Sequence, residues 1–153
     1  MMPKTAFFPG SFDPFTKGHE DIVLRALALF DEVVIGIGQN SNKSRYFSLD
    51  KMKNYIETTF RNKPVRVVTY QNLTANVAKE VGAKFIIRGL RNTTDFEYEN
   101  SISQVNRHIN PELETVFLIT SPHLAPISST IIRDLHRYGS EIGEYLPYTL
   151  DGI

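Results

Sequence analysis

A strand pattern followed by a helix pattern occurs five times along this chain, and this alternation constrains the fold most strongly. The strand segments are short and apolar, and "EVVIGIG" at 32–38 is an almost unbroken apolar run, as expected of a strand covered on both faces. We predict strands at 4–8, 32–38, 65–70, 84–88 and 114–120. We predict helices at 20–30, 48–60, 74–82, 93–110 and 128–138, with one more helical turn in "EIGEYL". The alternation is typical of an α/β fold with a doubly wound five-stranded parallel sheet and helices on both faces.

Residues typical of helix ends support these boundaries. We expect Ser48 and Thr74 to cap the second and third helices, and Gly82 and Gly139 to end the third and fifth. No internal repeat, low-complexity tract or linker interrupts the pattern. We therefore predict a single domain over residues 1–153.

Composition narrows the classes of function. Seventeen Lys and Arg balance 17 Asp and Glu, which argues against broad binding to nucleic acid or to anionic membranes. With no cysteine, the chain has no disulfide frame, thiol nucleophile or cysteine metal site. No run approaches the ~18 apolar residues of a spanning helix, and "MMPK" lacks the apolar core of a signal peptide. We expect a soluble, cytoplasmic protein with no nucleic-acid or membrane partner.

The polar chemistry of the sequence is concentrated in the loops that follow the strands. Right-handed crossovers place all of these loops at one edge of a parallel sheet, where ligands bind in such folds. The loops are 9–19, 39–47, 71–74, 88–93 and 121–129. We therefore expect a binding site at this edge.

The first loop, "PGSFDPFTKGH", ends in a histidine at the start of a helix. It carries neither the G-x-G-x-x-G nor the P-loop pattern, but Gly10 allows close approach of a ligand to the backbone. Free N–H groups at a helix start favour anions, and His19 can donate a hydrogen bond to a phosphate oxygen. The alternative is that His19 is a polar first-turn residue that faces water.

Basic residues mark the second and fourth loops. Lys43 and Arg45 lie among small polar residues, a pattern that taken alone favours a solvated surface loop. In "RGLRN", Arg88 and Arg91 follow an apolar strand, and guanidinium groups suit phosphate oxygens. Their alternative partners are acids of the next helix, and both roles are compatible. These acids are Asp95, Glu97 and Glu99.

Three consecutive hydroxyl residues, 128–130, end the fifth loop at a helix start. One of them should cap the helix, and together with free N–H groups they would form an anion cradle. Capping alone is the alternative. The site lacks a covalent nucleophile paired with its base. The remaining histidines are too scattered to indicate a metal cluster; they are His108, His123 and His136.

Four motifs together resemble one enzyme family. They are P-G-S-F-D-P-x-T-x-G-H, R-G-L-R-N-x-x-D-F-E-Y-E, N-R-H-x-x-P-E-L-E-T-V-F-L and I-S-S-T-x-I-R. Over residues 4–147 the chain resembles the bacterial phosphopantetheine adenylyltransferases, which belong to the nucleotidyltransferase superfamily with the T/H-x-G-H signature. T-x-G-H marks only the superfamily, whereas R-G-L-R followed by D-F-E-Y-E is more particular to this enzyme.

The resemblance implies a Rossmann-like nucleotidyltransferase fold and a step of coenzyme A synthesis. ATP and 4'-phosphopantetheine would give dephospho-coenzyme A and pyrophosphate by direct in-line attack, without a covalent intermediate. Mg²⁺ would be held mainly through the ATP phosphates rather than by a protein metal site. The resemblance also implies a homohexamer that coenzyme A inhibits.

The resemblance also implies roles for individual residues. His19 would stabilise the transition state, with Lys43 and Arg91 as further catalytic residues. The residues implied to bind phosphopantetheine are Ser11, Lys43, Thr74 and Arg88. Those implied to bind ATP are Ser11, Phe12, His19, Gly89, Leu90, Arg91, Glu99, Leu124, Ala125, Pro126, Ile127, Ser128, Ser129 and Thr130.

Two alternative functions stay open at this point. A sister nucleotidyltransferase would act on another phosphate acceptor, such as nicotinamide mononucleotide, or glycerol phosphate with CTP. A non-catalytic module would bind the nucleotide without turnover. The full motif set favours the enzyme over both.

Overall fold

The alternating pattern folds as an α/β sheet in the computed structural model, which describes residues 2–40, 42 and 44–150. Within these residues the strands are β1 Thr5–Gly10, β2 Glu32–Gly38, β3 Val65–Tyr70, β4 Phe85–Leu90 and β5 Glu114–Ile119. The helices are α1 Lys17–Ala26, α2 Leu49–Thr59, α3 Thr74–Glu80, α4 Thr93–Ile109 and α5 Ser129–Arg137. A 3₁₀ turn at Gly143–Tyr145 supplies the predicted extra helical turn. The predicted fold class is confirmed.

The sheet reverses its direction of growth between β1 and β4. The strand order is β3-β2-β1-β4-β5, and every neighbouring pair is parallel. β1 and β2 stay in register as far as Gly10, but β1 and β4 pair only at Ala6↔Phe85 and Phe7↔Ile86. The two central strands therefore separate toward their carboxyl ends, which opens a crevice at the point where ligands bind in doubly wound sheets.

Two apolar layers cover the faces of the sheet. Side chains of β1 alternate between them, with Phe8 on one face and Phe7 on the other. Helices α1, α2 and α5 contribute buried residues to the first face, and α3 contributes to the second. Helix α4 contacts α3, β4 and β5 and so lies beside α3 on the second face.

Helix ends follow the predicted signals with two differences. The Ser48 side chain caps α2, and Gly82 and Gly139 adopt positive φ of 80° and 85° just beyond α3 and α5, as predicted. The predicted Thr74 cap is wrong. Leu73 is the N-cap residue of α3, and the Thr74 hydroxyl lies 3.2 Å from that of Tyr70 instead.

Helix α1 starts at Lys17, three residues before the predicted boundary. Its cap is Thr16, whose hydroxyl accepts the N–H of His19 while the His19 ring reaches back to the Thr16 N–H. The imidazole takes the role that Glu or Gln usually has in a capping box. Because the helix was predicted to start only at residue 20, this cap was not predicted. Within the described residues, no helix combines the length and the apolar content needed to cross a bilayer.

Candidate functional site

Two clefts in the described part of the chain meet at the crevice between β1 and β4. The first, here the α5 cleft, lies between the starts of α1 and α5 and includes His19, Arg91 and residues 128–130. The second, here the α4 cleft, lies between the end of β3 and α4 and includes Thr74 and Tyr98. Both clefts are lined by Gly10, Ser11, Arg88 and Glu99. A ligand in one cleft would therefore reach one in the other across these shared residues.

Most of the candidate residues from the sequence line these clefts. The α5 cleft contains Ser11, Phe12, His19, Arg88, Gly89, Arg91, Glu99, Leu124, Ile127, Ser128, Ser129 and Thr130. Thr74 lies in the α4 cleft. Three described candidates lie outside both linings, namely Leu90, Ala125 and Pro126. Lys43 lies outside the described residues, and its role stays a prediction.

The turn between β1 and α1 forms the floor of the α5 cleft and is neither helix nor sheet. Its successive carbonyls from residue 11 to residue 15 accept hydrogen bonds from side chains far away in sequence. The donors are Arg45 for Ser11 and Phe12, Arg133 for Asp13, Ser129 for Pro14 and Tyr148 for Phe15. These bonds hold an irregular, largely buried backbone, including Phe12 at a φ of +46°, in one conformation.

Asp13 ties this turn to the loop after β2. Its carboxylate oxygens accept the N–H groups of Tyr46 and Phe47, each at 2.8 Å, and Arg45 lies 3.8 Å away. The Arg45 side chain is mostly buried, so the solvated-loop interpretation of this residue is wrong. Its guanidinium bonds backbone carbonyls that sequence patterns cannot reveal.

His19 lies at the centre of the α5 cleft. Its ring packs against Phe8, Phe12 and Phe15, with ring centroids 5.0–6.2 Å apart. Nδ1 accepts the Thr16 N–H at 3.0 Å. Because a backbone amide can only donate, Nδ1 carries no proton, and in the neutral ring the proton is on Nε2.

The surroundings keep this ring neutral. The pKa of His19 is lowered from 6.5 to about 3, mainly because the ring is buried and also because the charges of Arg88 and Arg91 are nearby. The side chain is half-buried and in contact with three aromatic rings, so it is not simply a water-facing first-turn residue. A neutral Nε2–H group is a directional hydrogen-bond donor.

The two arginines of the fourth loop are oriented by acids of α4. Arg88 donates to both Glu99 oxygens, at 2.8 and 2.7 Å, and to the Pro9 carbonyl across the gap between β1 and β4. Arg91 donates from Nε to Asp95 Oδ2 at 3.2 Å, and the same oxygen accepts the Arg91 N–H. Both pairs were among the alternatives from the sequence, and both leave guanidinium groups in the clefts.

The hydroxyls at the start of α5 have separate roles. Ser128 Oγ accepts the Ile131 N–H and caps the helix, as predicted for one of the three. Ser129 Oγ donates to the Pro14 carbonyl, and Thr130 Oγ1 accepts from Arg133. The cleft therefore has a helix start with backbone N–H groups next to Arg133.

The sequence interpretation missed several lining residues. Arg133 lines the α5 cleft, and its spacing of three residues after Thr130 within one helix was an available signal. Tyr98, Ile102 and Asn106 line the α4 cleft, and their four-residue spacing on α4 places them on one face.

Metal-binding potential is limited in the described part of the chain, which contains no group of three or more His, Cys, Asp or Glu able to hold an ion. The carboxylates of the α5 cleft, Asp95 and Glu99, are both paired with arginine.

His136 lies 2.6 Å from the Tyr46 hydroxyl, in a contact between α5 and the loop after β2.

Comparison with solved structures identifies the class of fold to which this chain belongs. The structure of a bifunctional NMN adenylyltransferase/ADP ribose pyrophosphatase from Francisella tularensis, complexed with AMP and Mn ion, matches with a TM-score of 0.71 at 20% identity, over 97% of this chain and 46% of that one. A putative nicotinate-nucleotide adenylyltransferase from Vibrio parahaemolyticus matches with a TM-score of 0.68 at 18% identity, over 95% and 87%. The fold is that of the nucleotidyltransferases, with two clefts at the switch point of the sheet.

Sequence comparisons define the family within this class. The cytidylyltransferase-like family model matches residues 7–135. Phosphopantetheine adenylyltransferase of Cytophaga hutchinsonii is 60% identical over 97% of this chain and 100% of its own length. That of Flavobacterium johnsoniae is 50% identical over 94% and 95%. The chain belongs to the phosphopantetheine adenylyltransferase family and is a nucleotidyltransferase, as the sequence motifs predicted.

The protonation state of His19 can be tested directly. In the unliganded protein, the imidazole ¹⁵N signals should show a protonated Nε2 and an unprotonated Nδ1, unchanged from pH 8 to pH 5. The reason is that burial lowers the pKa to about 3. Because the folded pKa lies below the unfolded one, this group should also lower stability as pH falls below 6.5. Titration of His19 near pH 6.5 would contradict the assignment.

Proposed function

We propose that this enzyme transfers the adenylyl group of ATP to 4'-phosphopantetheine, giving dephospho-coenzyme A and pyrophosphate. The observation that carries the proposal is the meeting of two clefts at Ser11 and Arg88. A reaction between two phosphate groups needs two adjoining sites that share anion-binding residues. The family relatives support phosphopantetheine as the acceptor.

ATP fits the α5 cleft by the chemistry of its lining. Arg91, Arg133 and the start of α5 provide donors for the triphosphate, and Leu124 and Ile127 add apolar contacts to the lining. The family motifs extend this site to Leu90, Ala125 and Pro126, whose contacts with ATP stay a prediction.

Phosphopantetheine fits the α4 cleft. The lining combines the Arg88 guanidinium, beside the crevice, with Tyr98 and Ile102 of α4, so it offers both phosphate donors and apolar contacts. The 4'-phosphate would bind at Arg88, and the pantetheine arm would extend past Thr74 toward α4. Lys43 is proposed to hold the same phosphate from the second loop.

The proposed reaction is a direct displacement. An oxygen of the 4'-phosphate forms a bond to the α-phosphorus of ATP, and the bond from that phosphorus to the β-phosphate bridging oxygen breaks, so that pyrophosphate leaves. The acceptor, with a second pKa near ~6, is largely dianionic at neutral pH and needs no general base. The barrier is mainly repulsion and alignment. Two unit charges 4 Å apart repel by about 4 kcal/mol at an effective dielectric of 20. Alignment of the two substrates in the site lowers the barrier by up to roughly 7–11 kcal/mol.

His19 acts where negative charge grows. Its Nε2–H group would donate to a nonbridging oxygen of the α-phosphoryl group, and the Thr16 N–H fixes the ring that presents it. Arg88 holds the attacking phosphate, and Arg91 holds the leaving end of the triphosphate. The acids Glu99 and Asp95 fix the orientation of these two guanidinium groups.

Mg²⁺ would enter with ATP as part of the substrate. The described carboxylates of the α5 cleft are paired with arginine, so we assign no protein ligands to the ion. The Francisella tularensis structure, 46% of which matches this fold, also contains an Mn ion, which is consistent with divalent-metal use.

Pyrophosphate release distinguishes the proposed acceptor from its alternatives. With MgATP, 4'-phosphopantetheine should support rapid release, and nicotinamide mononucleotide should not. The solved neighbours that resemble this fold include adenylyltransferases of NMN, which makes that acceptor the sharpest comparison. Preference for nicotinamide mononucleotide, or use of CTP with glycerol phosphate, would indicate a sister transferase. ATP binding without any turnover would indicate a non-catalytic module.

Replacement of His19 tests its proposed role. His19→Ala should lower kcat by about 10²–10³-fold, because it removes one donor to the developing charge. ATP affinity, measured by calorimetry, should change little, because the triphosphate keeps its arginines. His19→Gln is the matched variant, since its amide can replace a capping-box contact. A kcat near that of the wild type in both variants would contradict the role.

We also propose a cytoplasmic homohexamer that coenzyme A inhibits. Coenzyme A carries both an adenine nucleotide and a pantetheine arm, so it could occupy both clefts. Self-association is supported by an exposed apolar stripe on α4, consisting of Tyr98, Ile102, Val105 and Ile109. Their 4-3-4 spacing places them on one side of the helix, and exposed stripes of this kind mark interfaces.

A charge on this stripe should reduce the assembly. Val105 is 58% exposed and lies outside both cleft linings, so Val105→Lys should lower the mass measured by light scattering without removing a ligand contact. Leu29, 57% exposed after α1, provides the matched control Leu29→Lys. The hexamer proposal fails if the wild type is monomeric, and the assignment to α4 fails if both variants keep the wild-type mass.

A further inference from the structure

The segment after α5 returns to the β1–α1 turn. Ile142 and Leu146 are buried in the core on the α1, α2 and α5 face. They bring Tyr148 against Tyr55 of α2, with ring centroids 4.7 Å apart and planes within 3° of parallel. Tyr148 lies outside the motifs that carry the family resemblance, so its role is argued from its contacts.

The Tyr148 hydroxyl donates to the carbonyl of Phe15 at 2.6 Å. It also lies 3.3 Å from Sδ of Met52. A hydroxyl has one proton to donate, and the shorter contact to the stronger acceptor takes it. Burial raises the pKa of Tyr148 well above its ordinary value, so the hydroxyl stays protonated at any working pH.

The Phe15 carbonyl and the Thr16 N–H belong to one peptide group. On one side of this planar unit the oxygen accepts from Tyr148, and on the other the N–H donates to Nδ1 of His19 at 3.0 Å. A hydrogen bond to the oxygen polarises the amide and makes its N–H a better donor. It also fixes the plane of the peptide, and with it the direction of the bond that orients the imidazole.

We propose that Tyr148 is a positioning residue for His19, acting through the Phe15–Thr16 peptide. This inference rests on the proposed function, in which His19 Nε2–H meets the α-phosphoryl group. Tyr148 stabilises the tautomer with the proton on Nε2 and holds the ring in the orientation that presents it to the α5 cleft. The residue does not touch either substrate.

Tyr148→Phe removes the hydroxyl and keeps the ring that stacks on Tyr55. We expect kcat for pyrophosphate release to fall about tenfold, the effect of weakening one hydrogen bond. The KM values for ATP and 4'-phosphopantetheine should stay within about twofold, because neither substrate contacts residue 148. In the same variant, the ¹⁵N signals of His19 should shift toward mixed tautomers, a change that a purely structural role of the tail would not produce.

Tyr145→Phe provides the matched control, because it removes a hydroxyl from the same segment at a position paired with Glu144 rather than with the turn. This variant should keep the wild-type kcat and His19 signals. Thermal unfolding of both variants establishes that they are folded at the assay temperature.

Two outcomes would overturn the proposal. One is a Tyr148→Phe enzyme with wild-type kcat and His19 signals. The other is a lower kcat with unchanged His19 signals, which would place the effect elsewhere. If the wild type itself releases no pyrophosphate with 4'-phosphopantetheine, the proposed function fails. The His19 signals of the two variants still decide whether Tyr148 sets the tautomer.

Discussion

The β1–α1 turn has to satisfy its backbone carbonyls without forming helix or sheet, and the rest of the site depends on how it does so. Buried carbonyls need donors, and those of residues 11–15 receive them from the second loop, from α5 and from the C-terminal segment. The conformation of the turn therefore depends on the packing of these distant segments. Because His19 is held by the last peptide of this turn, the same bonds that stabilise the fold also set the position of the proposed catalytic group.

The second constraint is the early end of the ladder between β1 and β4. Where backbone pairing stops, Arg88 donates to the Pro9 carbonyl and so bridges β1 and β4. Glu99, 7% exposed, holds the other side of the guanidinium. A lone guanidinium at the meeting point of two clefts would be free to move with either substrate. Paired in this way it is preorganised, although the carboxylate offsets part of its charge.

The sequence predicts the features that depend on local pattern. The alternation of apolar strands and amphipathic helices specified the parallel sheet, and the edge at which the loops gather followed from its handedness. The position of His19 at a helix start was predictable as well. Hydrogen bonds from side chains to backbone carbonyls were not predictable from the sequence. Arg45 resembles a solvated-loop residue because its partners are carbonyls 33 and 34 residues away, and every residue carries a carbonyl. The Thr74 cap failed for a different reason: the N-cap position falls on Leu73, and the Thr74 hydroxyl lies against that of Tyr70, four residues earlier.

Because its low pKa keeps His19 neutral, the imidazole and the neighbouring arginines have different roles in the proposed mechanism. An imidazolium would bind the ground-state triphosphate as well as the transition state, and uniform binding of that kind does not raise kcat. It would also be repelled by Arg88 and Arg91, which lower its pKa. The arginines instead hold phosphate groups that remain charged throughout the reaction. A neutral Nε2–H group contributes most where its bond is directional and where charge grows during the step, at the α-phosphoryl oxygens. Burial of the ring among aromatic side chains is therefore part of the proposed mechanism, because it keeps the donor neutral and fixed while the cations around it hold the substrates.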